Sequence, residues 1–175
     1  RTTSLRSVSD STHSSGPVID EARYRQVLGH FPTGVTVVAS HPEGDAPVGL
    51  AVGSFFSVSL EPALVGFCPG KSSSSWPRIE AAGSFCVNVL ADDQEDVARV
   101  FAGKGEDKFQ SVGWRPGATG SPVIRDVLAW IDCALEDVHD AGDHYIVTGR
   151  VHELKVEREG HPLVFFRGGY GSFSS

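Results

Sequence analysis

The chain has 175 residues, of which 40% are hydrophobic and 21% are charged, and its formal net charge is −7. This length predicts one domain with a buried core, and the negative charge disfavours a protein that binds nucleic acid. No apolar run approaches the ~20 residues of a membrane-spanning helix, and no secretory leader is visible, so we expect a cytoplasmic protein without a membrane partner.

The N-terminal part of the sequence divides into an arm and a helix. Residues 1–18 are rich in Ser and Thr and predict a disordered arm, or a remnant of expression, before a single domain at residues 19–175. Residues 20–31 predict an amphipathic helix, with Asp20 as its N-cap and Gly29 as its stop. The apolar stripe of this helix consists of Tyr24, Val27, Leu28 and Phe31.

Short strands dominate the rest of the chain. Val-, Thr- and aromatic-rich runs between turn signals predict strands at residues 34–40, 48–52, 55–60, 64–68, 85–90, 127–138, 145–156 and 163–167. Helices are expected at residues 76–82, closed by Gly83, and at residues 92–102, where Asp92 and Glu95 resemble a capping box. Residues 103–121 and the connection at 139–144 are expected to be irregular. Because no βαβ alternation is present, the prediction is an antiparallel β-barrel with peripheral helices.

Small residues and hydroxyls are concentrated at residues 49–59, between two strands. Small side chains let backbone N–H groups approach a ligand closely, and Ser54, Ser57 and Ser59 add donors that also accept. A flat ligand carrying a phosphate fits such a surface. The alternative is two ordinary half-buried strands joined by a serine-rich turn.

A run of four serines follows a strand and precedes a helix. The free N–H groups at a helix start bind anions, so Ser72, Ser73, Ser74 and Ser75, with Lys71 beside them, predict a phosphate cradle. The alternative is that these hydroxyls only cap the helix. The glycine pattern of nucleotide triphosphatases is absent.

Two further groups could act on a ligand. In the turn at Gly142, Asp143 could orient the imidazole of His144, although a structural histidine is the alternative. The aromatic, Gly-rich tail around Tyr170 could stack on a heterocycle, or it could fill a barrel end or a subunit interface. The nucleophile elbow Gly-x-Ser-x-Gly and the dinucleotide fingerprint Gly-x-Gly-x-x-Gly do not occur in the sequence.

The cysteines point to buried thiols and not to a metal. Cys68, Cys86 and Cys133 are odd in number, widely spaced and embedded in apolar runs. We therefore expect free thiols in a reducing compartment. Since no two lie at a ligand-type spacing, we predict no metal site.

In order and spacing, several motifs resemble those of the short-chain flavin reductases of two-component monooxygenase systems. They are Phe-Pro-Thr-Gly-Val-Thr-Val-Val at residues 31–38, Ser-Phe-Phe-Ser-Val-Ser-Leu-Glu-Pro at 54–62, Gly-Ser-Phe-Cys-Val-Asn-Val-Leu at 83–90, Asp-Lys-Phe at 107–109, Gly-Asp-His at 142–144, and Pro-Leu-Val-Phe at 162–165 with Tyr170. Further details at residues 67–69, 75–76 and 138–140 are most similar to actinobacterial members that serve aromatic or steroid-ring hydroxylases. The resemblance implies a mainly β, FMN-binding antiparallel split barrel with Greek-key topology.

The resemblance also implies a site and its cofactors. The cofactors are FMN or FAD and NADH or NADPH, bound in a groove at a homodimer interface, with His144 and Tyr170 flanking the nicotinamide. His144 is the candidate catalytic residue, acting by positioning or electrostatics. The implied flavin-binding residues are Ala51, Val52, Gly53, Ser54, Ser57, Cys68, Pro69, Gly70, Ser72, Ser73, Ser74, Ser75, Asn88, Val89, Leu90 and Lys108. Family members often carry Thr in place of Ala51 and Asn in place of Gly53, so flavin affinity or FMN/FAD preference should differ here.

The implied activity is hydride transfer from NADH to FMN or FAD, which supplies reduced flavin to a partner monooxygenase. One alternative on the same barrel is a non-enzymatic flavin-binding electron carrier. Another is an oxidase similar to the pyridoxamine-phosphate oxidases. The Gly-Asp-His turn and the Ser-Phe-Phe-Ser-Val-Ser run favour the reductase over the oxidase, a choice that fold alone does not decide.

Overall fold

A computed structural model describes residues 18–105 and 107–173. Residues 1–17 of the predicted arm at 1–18 lie outside the described residues. In chain order the elements are α1 (Glu21–Leu28), β1 (Thr33–Gly34), β2 (Thr36–Ser40), β3 (Val48–Val52), β4 (Phe56–Leu60), β5 (Ala63–Phe67), α2 (Trp76–Ala82), β6 (Ser84–Val89), a 3-10 turn (Asp92–Gln94), α3 (Glu95–Ala102), β7 (Trp114–Pro116), β8 (Pro122–Ile124), β9 (Ala129–Ala141), β10 (His144–Val156), β11 (Leu163–Phe166) and β12 (Gly169–Ser172).

The strands form one large antiparallel sheet and two small ones. The large sheet has the order β3-β2-β6-β9-β10-β5-β4, and the small sheets are β1-β11-β12 and β7-β8. Strands β3 and β4 are the two edges of the large sheet, so the barrel is open between them, and α1, α2 and α3 lie at its periphery. The predicted mainly β, antiparallel split barrel with peripheral helices is confirmed.

Apolar side chains cover both faces of the large sheet. Val37 and Cys86 belong to one buried cluster, with Phe101, Trp130 and Leu163. The neighbouring residues Val38, Phe85 and Val87 belong to a second cluster, with Phe67 and Trp76. Because successive side chains of a strand point to opposite faces, two cores explain why β2 and β6 are buried along their length instead of alternating between buried and exposed residues.

The first helix is shorter than predicted and its stripe is uncovered. It ends at Leu28 instead of residue 31, while Asp20 caps it as expected by accepting the N–H of Arg23 at 3.1 Å. Its apolar stripe is exposed: Tyr24, Val27, Leu28 and Phe31 are 56%, 59%, 50% and 72% accessible. The amphipathic pattern is therefore real, but this chain's own core does not bury it. No helix in the described ranges is long and apolar enough to cross a membrane.

Several other boundaries also differ from the sequence prediction. The prediction that Asp92 and Glu95 form a capping box is wrong. A 3-10 turn precedes α3, and the Gln94 side chain accepts the N–H of Ala91. The expected loop at 139–144 is mostly strand, since β9 and β10 leave only Gly142 and Asp143 in the turn. The tail adds a further strand, β12, which pairs with β11. Residues 103–121 are not wholly irregular, because they include β7.

Candidate functional site

Edge strand β3 continues directly into the small-residue run of the sequence. Gly53 and Ser54 follow β3 and lead into β4, so the segment crosses the open side of the barrel. Gly53 is exposed and lies against Thr33 of β1, because a Cβ added at Gly53 would come within 2.6 Å of Thr33 Oγ1. The Thr33 hydroxyl thus occupies the space that a side chain at position 53 would enter.

Ser54 joins this segment to the end of β5. Its hydroxyl accepts the N–H of Cys68 at 2.9 Å and donates to the Cys68 carbonyl at 3.3 Å. Cys68 is half-buried, and burial raises the pKa of its thiol above the usual value. The two predicted segments, residues 51–54 and 68–70, are therefore neighbours in the structure.

The segment after β5 continues along strand β10. The N–H of Tyr145 donates to the Pro69 carbonyl at 3.0 Å, and the N–H of Lys71 donates to the Asp143 carbonyl at 2.9 Å. Gly70 and His144 form an antiparallel bridge between these bonds. We call residues 51–54, 68–70 and His144 the edge cluster, since they lie together where the barrel is open.

Asp143 orients the imidazole of His144. Its carboxylate lies 2.7 Å from Nδ1 of His144, which favours the tautomer with the proton on Nδ1 and leaves Nε2 as an acceptor. Nε2 faces Gly70, lying 3.6 Å from where a Cβ of that glycine would be. The hydrogen bond with His144 lowers the pKa of Asp143. Because the His144 side chain is half-exposed, the edge cluster presents an oriented imidazole to solvent.

The four serines of the predicted cradle have different environments. Ser73 accepts the N–H groups of Ser75 and Trp76 at 3.3 Å each, so for this one serine the hydroxyl caps the start of α2, whereas the N-cap residue Ser75 makes no side-chain cap bond. Ser72 is exposed near Gly70, and Ser74 and Ser75 line a cavity described next. Lys71 pairs instead with Asp140 and lies over the Tyr145 ring.

An open cavity of about 370 Å³ lies beside the buried end of β3. It is lined by Asp45, Ala46, Val48, Gly49, Ser74, Ser75, Arg78, Gly105, Asp107 and Lys108. We call it the Lys108 cavity. Two cations from distant parts of the sequence, Arg78 and Lys108, meet there on a chain whose net charge is −7. A serine turn links the cavity to the edge cluster, since Ser73 N–H donates to the Gly70 carbonyl at 3.0 Å.

Lys108 reaches the cavity from the loop after α3. Its ammonium donates to the carbonyls of Phe101 at 3.0 Å and Gly49 at 3.4 Å. Burial lowers its pKa below the usual value, because desolvation penalises the charged form. The partly dehydrated ammonium is placed at the edge strand, where an anion would interact with it strongly.

Sequence reasoning missed Arg78, Asp45 and Thr33. Arg78 follows Ser75 by three residues, so a helical repeat places it next to the serine run, and this signal was present in the sequence. Arg78 pairs with Asp45 at 2.8 Å. The backbone N–H of Ala46 and the Arg78 guanidinium together lower the pKa of Asp45. The positions of Asp45 and Thr33 depend on chain crossings that the sequence does not reveal.

The Asn88 side chain is buried and held by hydrogen bonds within the core. Its buried amide donates to the carbonyls of Val37, Cys86 and Pro122 and accepts the N–H of Ile124 at 2.8 Å. Leu90 is buried, with both backbone groups bonded, and Val89 is half-buried in β6. The structure does not bring the Asn88 side chain to the edge cluster, so a cofactor role would require these bonds to break.

Tyr170 lies on the small sheet that contains Thr33. Thr33 faces Phe165, and Phe165 faces Tyr170, across successive ladders. Directly opposed residues project to the same side of a sheet, and the Phe165 and Tyr170 ring centroids are 5.3 Å apart. Tyr170 also lies under the Arg99 guanidinium. The small sheet thus connects Tyr170 to the Gly53 end of the edge cluster. Ser57, the remaining predicted serine, is exposed on edge strand β4.

The remaining sulfur groups lie in the core. Cys86 and Cys133 are buried, and burial raises the pKa of both thiols, that of Cys133 to about 12. Within residues 18–105 and 107–173, no group of three or more His, Cys, Asp or Glu side chains has the arrangement of a metal site.

The residues present fit a flavin phosphate ester. The Lys108 cavity supplies two cations and two serines for a phosphate, and backbone groups at the open edge of the barrel are available to a planar ring system. The Ser73 turn connects the two regions, so one ligand could span both.

Comparison with known proteins adds evidence independent of this geometry. A model of the flavin reductase-like domain matches residues 28–174. A flavin reductase from Pseudomonas putida is 56% identical over 158 residues, which are 90% of this chain and 92% of that protein. The reductase subunit HsaB of a flavin-dependent monooxygenase from Rhodococcus jostii is 50% identical over 152 residues, 87% of this chain and 77% of that protein.

Solved structures give the same picture. Nitrilotriacetate monooxygenase component B from Mycobacterium thermoresistibile superposes with a TM-score of 0.84 at 49% identity, covering 88% of this chain and 87% of that one. The NADH:FAD oxidoreductase SgcE6 from Streptomyces globisporus, in complex with NAD and FAD fragments, has a TM-score of 0.81 at 37% identity, with coverages of 91% and 98%.

Proposed function

This chain belongs to the flavin reductase-like domain family, and on that premise we propose how its residues serve an NAD(P)H-dependent flavin reductase. The enzyme reduces FMN or FAD with a nicotinamide nucleotide and supplies the reduced flavin to a partner monooxygenase. The observation that supports our residue assignment is the continuity of the edge cluster with the Lys108 cavity through the Ser73 turn.

The edge cluster would hold the flavin ring and the Lys108 cavity its phosphate. Residues 51–54 would border the ring largely through backbone groups, with residues 68–70 beside it. Ser54 fixes these two segments relative to each other. Ser72, Ser74, Ser75 and Lys108 would contact the phosphate or the chain that leads to it. Ser73 would act indirectly, since its hydroxyl already caps α2.

The cofactors supply hydride donation and acceptance, so the protein needs no acid–base pair at the reacting atoms. What the chain contributes is position. His144, oriented by Asp143, would flank the nicotinamide at the open edge. Backbone N–H groups near residues 51–54 and at Gly70 would stabilise negative charge that develops on reduction, since Pro69 has no N–H and that of Cys68 donates to Ser54.

The enzyme would work as a homodimer. Val18 and Ile19 are exposed next to Tyr24, Val27 and Leu28 of the α1 stripe, and such apolar surfaces mark interfaces in soluble domains. A second copy burying the same stripe would give a two-fold interface. Light scattering after gel filtration tests this: a dimer mass is expected, and Val27→Asp should shift it toward the monomer, while Gln26→Asp on the same helix should not. A monomeric wild-type protein would contradict it.

The first experiment is oxidation of NADH by purified protein with added FMN, FAD or riboflavin, followed by the loss of nicotinamide absorbance. Turnover that depends on added flavin is expected, and it would rank the flavins and the nicotinamides. No turnover by a protein that retains a flavin through gel filtration would favour the electron carrier.

A further inference from the structure

We infer that Asp45 and the phosphate of the flavin compete for the same cation, the guanidinium of Arg78. This competition would keep the affinity for phosphorylated flavins low enough for release of the reduced product. The inference rests on the flavin reductase function and phosphate position proposed above.

Asp45 holds Arg78 through a defined set of contacts. Arg78 Nε donates to Asp45 Oδ2 at 3.0 Å, and its Nη2 donates to the Ala46 carbonyl at 2.7 Å. The Asp45 carboxylate is itself fixed by the N–H of Ala46 at 2.7 Å. The guanidinium of α2 is thereby tied to the turn between β2 and β3, next to Ser74 and Ser75.

Arg78 is also one of two cations that line the Lys108 cavity. Asp45 and Asp107 are the carboxylates of that lining. In the described part of the chain, the hydrogen bonds of Lys108 go to backbone carbonyls, so Asp45 is the carboxylate that engages a cavity cation directly. An anion entering between Arg78 and Lys108 would meet Asp45 as its rival for the guanidinium.

The pair is weak enough to exchange. The side chains of Arg78 and Asp45 are 33% and 51% accessible, and ion pairs at such exposure contribute little. A phosphate monoester carries more charge than a carboxylate and accepts two parallel N–H bonds from a guanidinium. Phosphate can therefore displace Asp45, and Asp45 can recapture Arg78 when the flavin leaves.

The competition makes a specific prediction about ligands. FMN and FAD carry the phosphate and riboflavin does not, so substitutions at Arg78 and Asp45 should change the affinity for FMN and leave that for riboflavin unaltered. Arg78→Gln should weaken FMN binding roughly tenfold, the scale of one charge-assisted contact. Asp45→Asn should tighten it by about threefold or more, because Arg78 is then unopposed.

The test is a set of titrations of flavin fluorescence with wild type, R78Q, D45N and the double variant, using FMN and riboflavin. If Asp45 acts through Arg78, D45N should have no effect on FMN affinity in the R78Q background. Stopped-flow release of FMN should be slower from D45N than from wild type. Circular dichroism checks that each variant is folded, and R78K offers a milder replacement if R78Q is not.

The matched controls are E136Q and R150Q, which break an ion pair of similar exposure, Arg150 with Glu136, on the β9–β10 hairpin. E136Q changes the net charge as D45N does and should leave FMN affinity unchanged.

Equal effects of R78Q on FMN and riboflavin would overturn the inference. So would a D45N effect that persists without Arg78 or is matched by E136Q. Failure of the proposed function is distinguishable, because wild type would then neither bind flavin nor oxidise NADH with it.

Discussion

One hydroxyl, that of Ser54, bonds both backbone groups of Cys68, accepting the N–H at 2.9 Å and donating to the carbonyl at 3.3 Å. Ser54 lies in the segment that crosses the opening of the barrel after β3, and Cys68 follows β5. Strands β3 and β4 have no strand partner on their outer sides within the described residues, so this side-chain link anchors the crossing segment to the end of β5.

Ser54→Ala should therefore loosen the edge cluster more than it lowers overall stability. Losing two hydrogen bonds of ~1 kcal/mol each sets an upper limit of roughly 30-fold on the expected loss of flavin affinity. Flavin fluorescence titration measures this effect, with the melting temperature recorded in parallel. Ser59→Ala, on β4 outside the cluster, is the control and should bind flavin normally. Unchanged flavin binding by S54A would show that the link does not shape the site.

His144→Ala should impair the use of NADH while flavin binding survives, because the imidazole flanks the nicotinamide side in our assignment. We expect KM for NADH to rise roughly tenfold, the effect of losing about 1.4 kcal/mol of binding, with flavin affinity nearly unchanged. Steady-state kinetics and flavin titration separate the two effects. His139→Ala, on the same hairpin and also paired with an aspartate, should have little effect.

Asp143→Asn tests whether Asp143 positions that imidazole. The His144 hydrogen bond lowers the pKa of Asp143 from 3.8. The Asp143 side chain is therefore ionised at neutral pH, and its negative charge is lost only when the pH falls through the lowered pKa. D143N should thus raise KM for NADH less than H144A, and the double variant should resemble H144A alone. Loss of flavin binding in H144A with intact NADH kinetics would reverse the assignment of this hairpin.

Lys108→Met should separate binding from stability. Burial lowers the pKa of Lys108 because the folded state disfavours the charged ammonium. The charge therefore destabilises the folded protein below that pKa, and this destabilisation decreases as the pH rises through it. Removing the charge should leave the melting temperature unchanged or higher near neutral pH. FMN affinity should fall roughly tenfold and riboflavin affinity should not.

Lys104→Met is the control for this substitution, since Lys104 is exposed on the loop that leads to Lys108. It should alter neither measurement. If K108M weakened riboflavin as much as FMN, or failed to weaken either, Lys108 would not be a phosphate contact.

The three thiols should react in a graded order with iodoacetamide. Burial raises the pKa of each, and a raised pKa means less thiolate at a given pH. Cys68, half-buried, should be labelled slowly and faster as pH rises, whereas Cys86 and Cys133 should react only after unfolding. Bound FMN should protect Cys68. Mass spectrometry of labelled peptides gives the rates, and labelling of Cys68 unaffected by flavin would place the ring elsewhere.

Gly149→Ala should destabilise the barrel by overpacking. A Cβ at Gly149 in β10 would overlap the ring of Phe85 and lie 3.1 Å from the Cβ of Cys133. Such insertions cost about 1–3 kcal/mol, which predicts a melting temperature lower by roughly 2–12 °C for a chain of this size. Gly171→Ala, also in a strand but with open space around its Cβ position, should melt nearly as wild type.

Much of the fold followed from local sequence patterns. Helix α2 and its stop at Gly83 were predicted to the residue, because Pro near a helix start and a left-handed glycine after its end are strong local signals; Gly83 has φ +68°. Strand β3 was also predicted at its observed bounds. The hairpin of β9 and β10 was too short in the prediction, because polar residues at 139–140 look like loop when only one face of a strand is buried.

The motifs identified the reductase family, and the chemistry of the cofactors accounts for the lack of an acid–base pair in the sequence. The assignment of individual site residues remains a prediction. Asn88 shows why: its amide fits a ligand site by type, yet four bonds within the core use it instead. A residue's type is local information, whereas the partners that satisfy its polar atoms come from other strands.

The sequence by itself determined which segments become strands and helices, where the hydroxyls and small residues cluster, and which family the chain resembles, since these depend on neighbouring residues. Only the tertiary structure decided that Arg78 meets Asp45, that Thr33 occupies the space beside Gly53, and that the α1 stripe is uncovered. The first two relationships join residues that are 20 or more positions apart in the sequence. The third depends on whether another part of the fold covers the helix. They are fixed by strand order and chain crossings, which a local hydrophobic pattern does not encode.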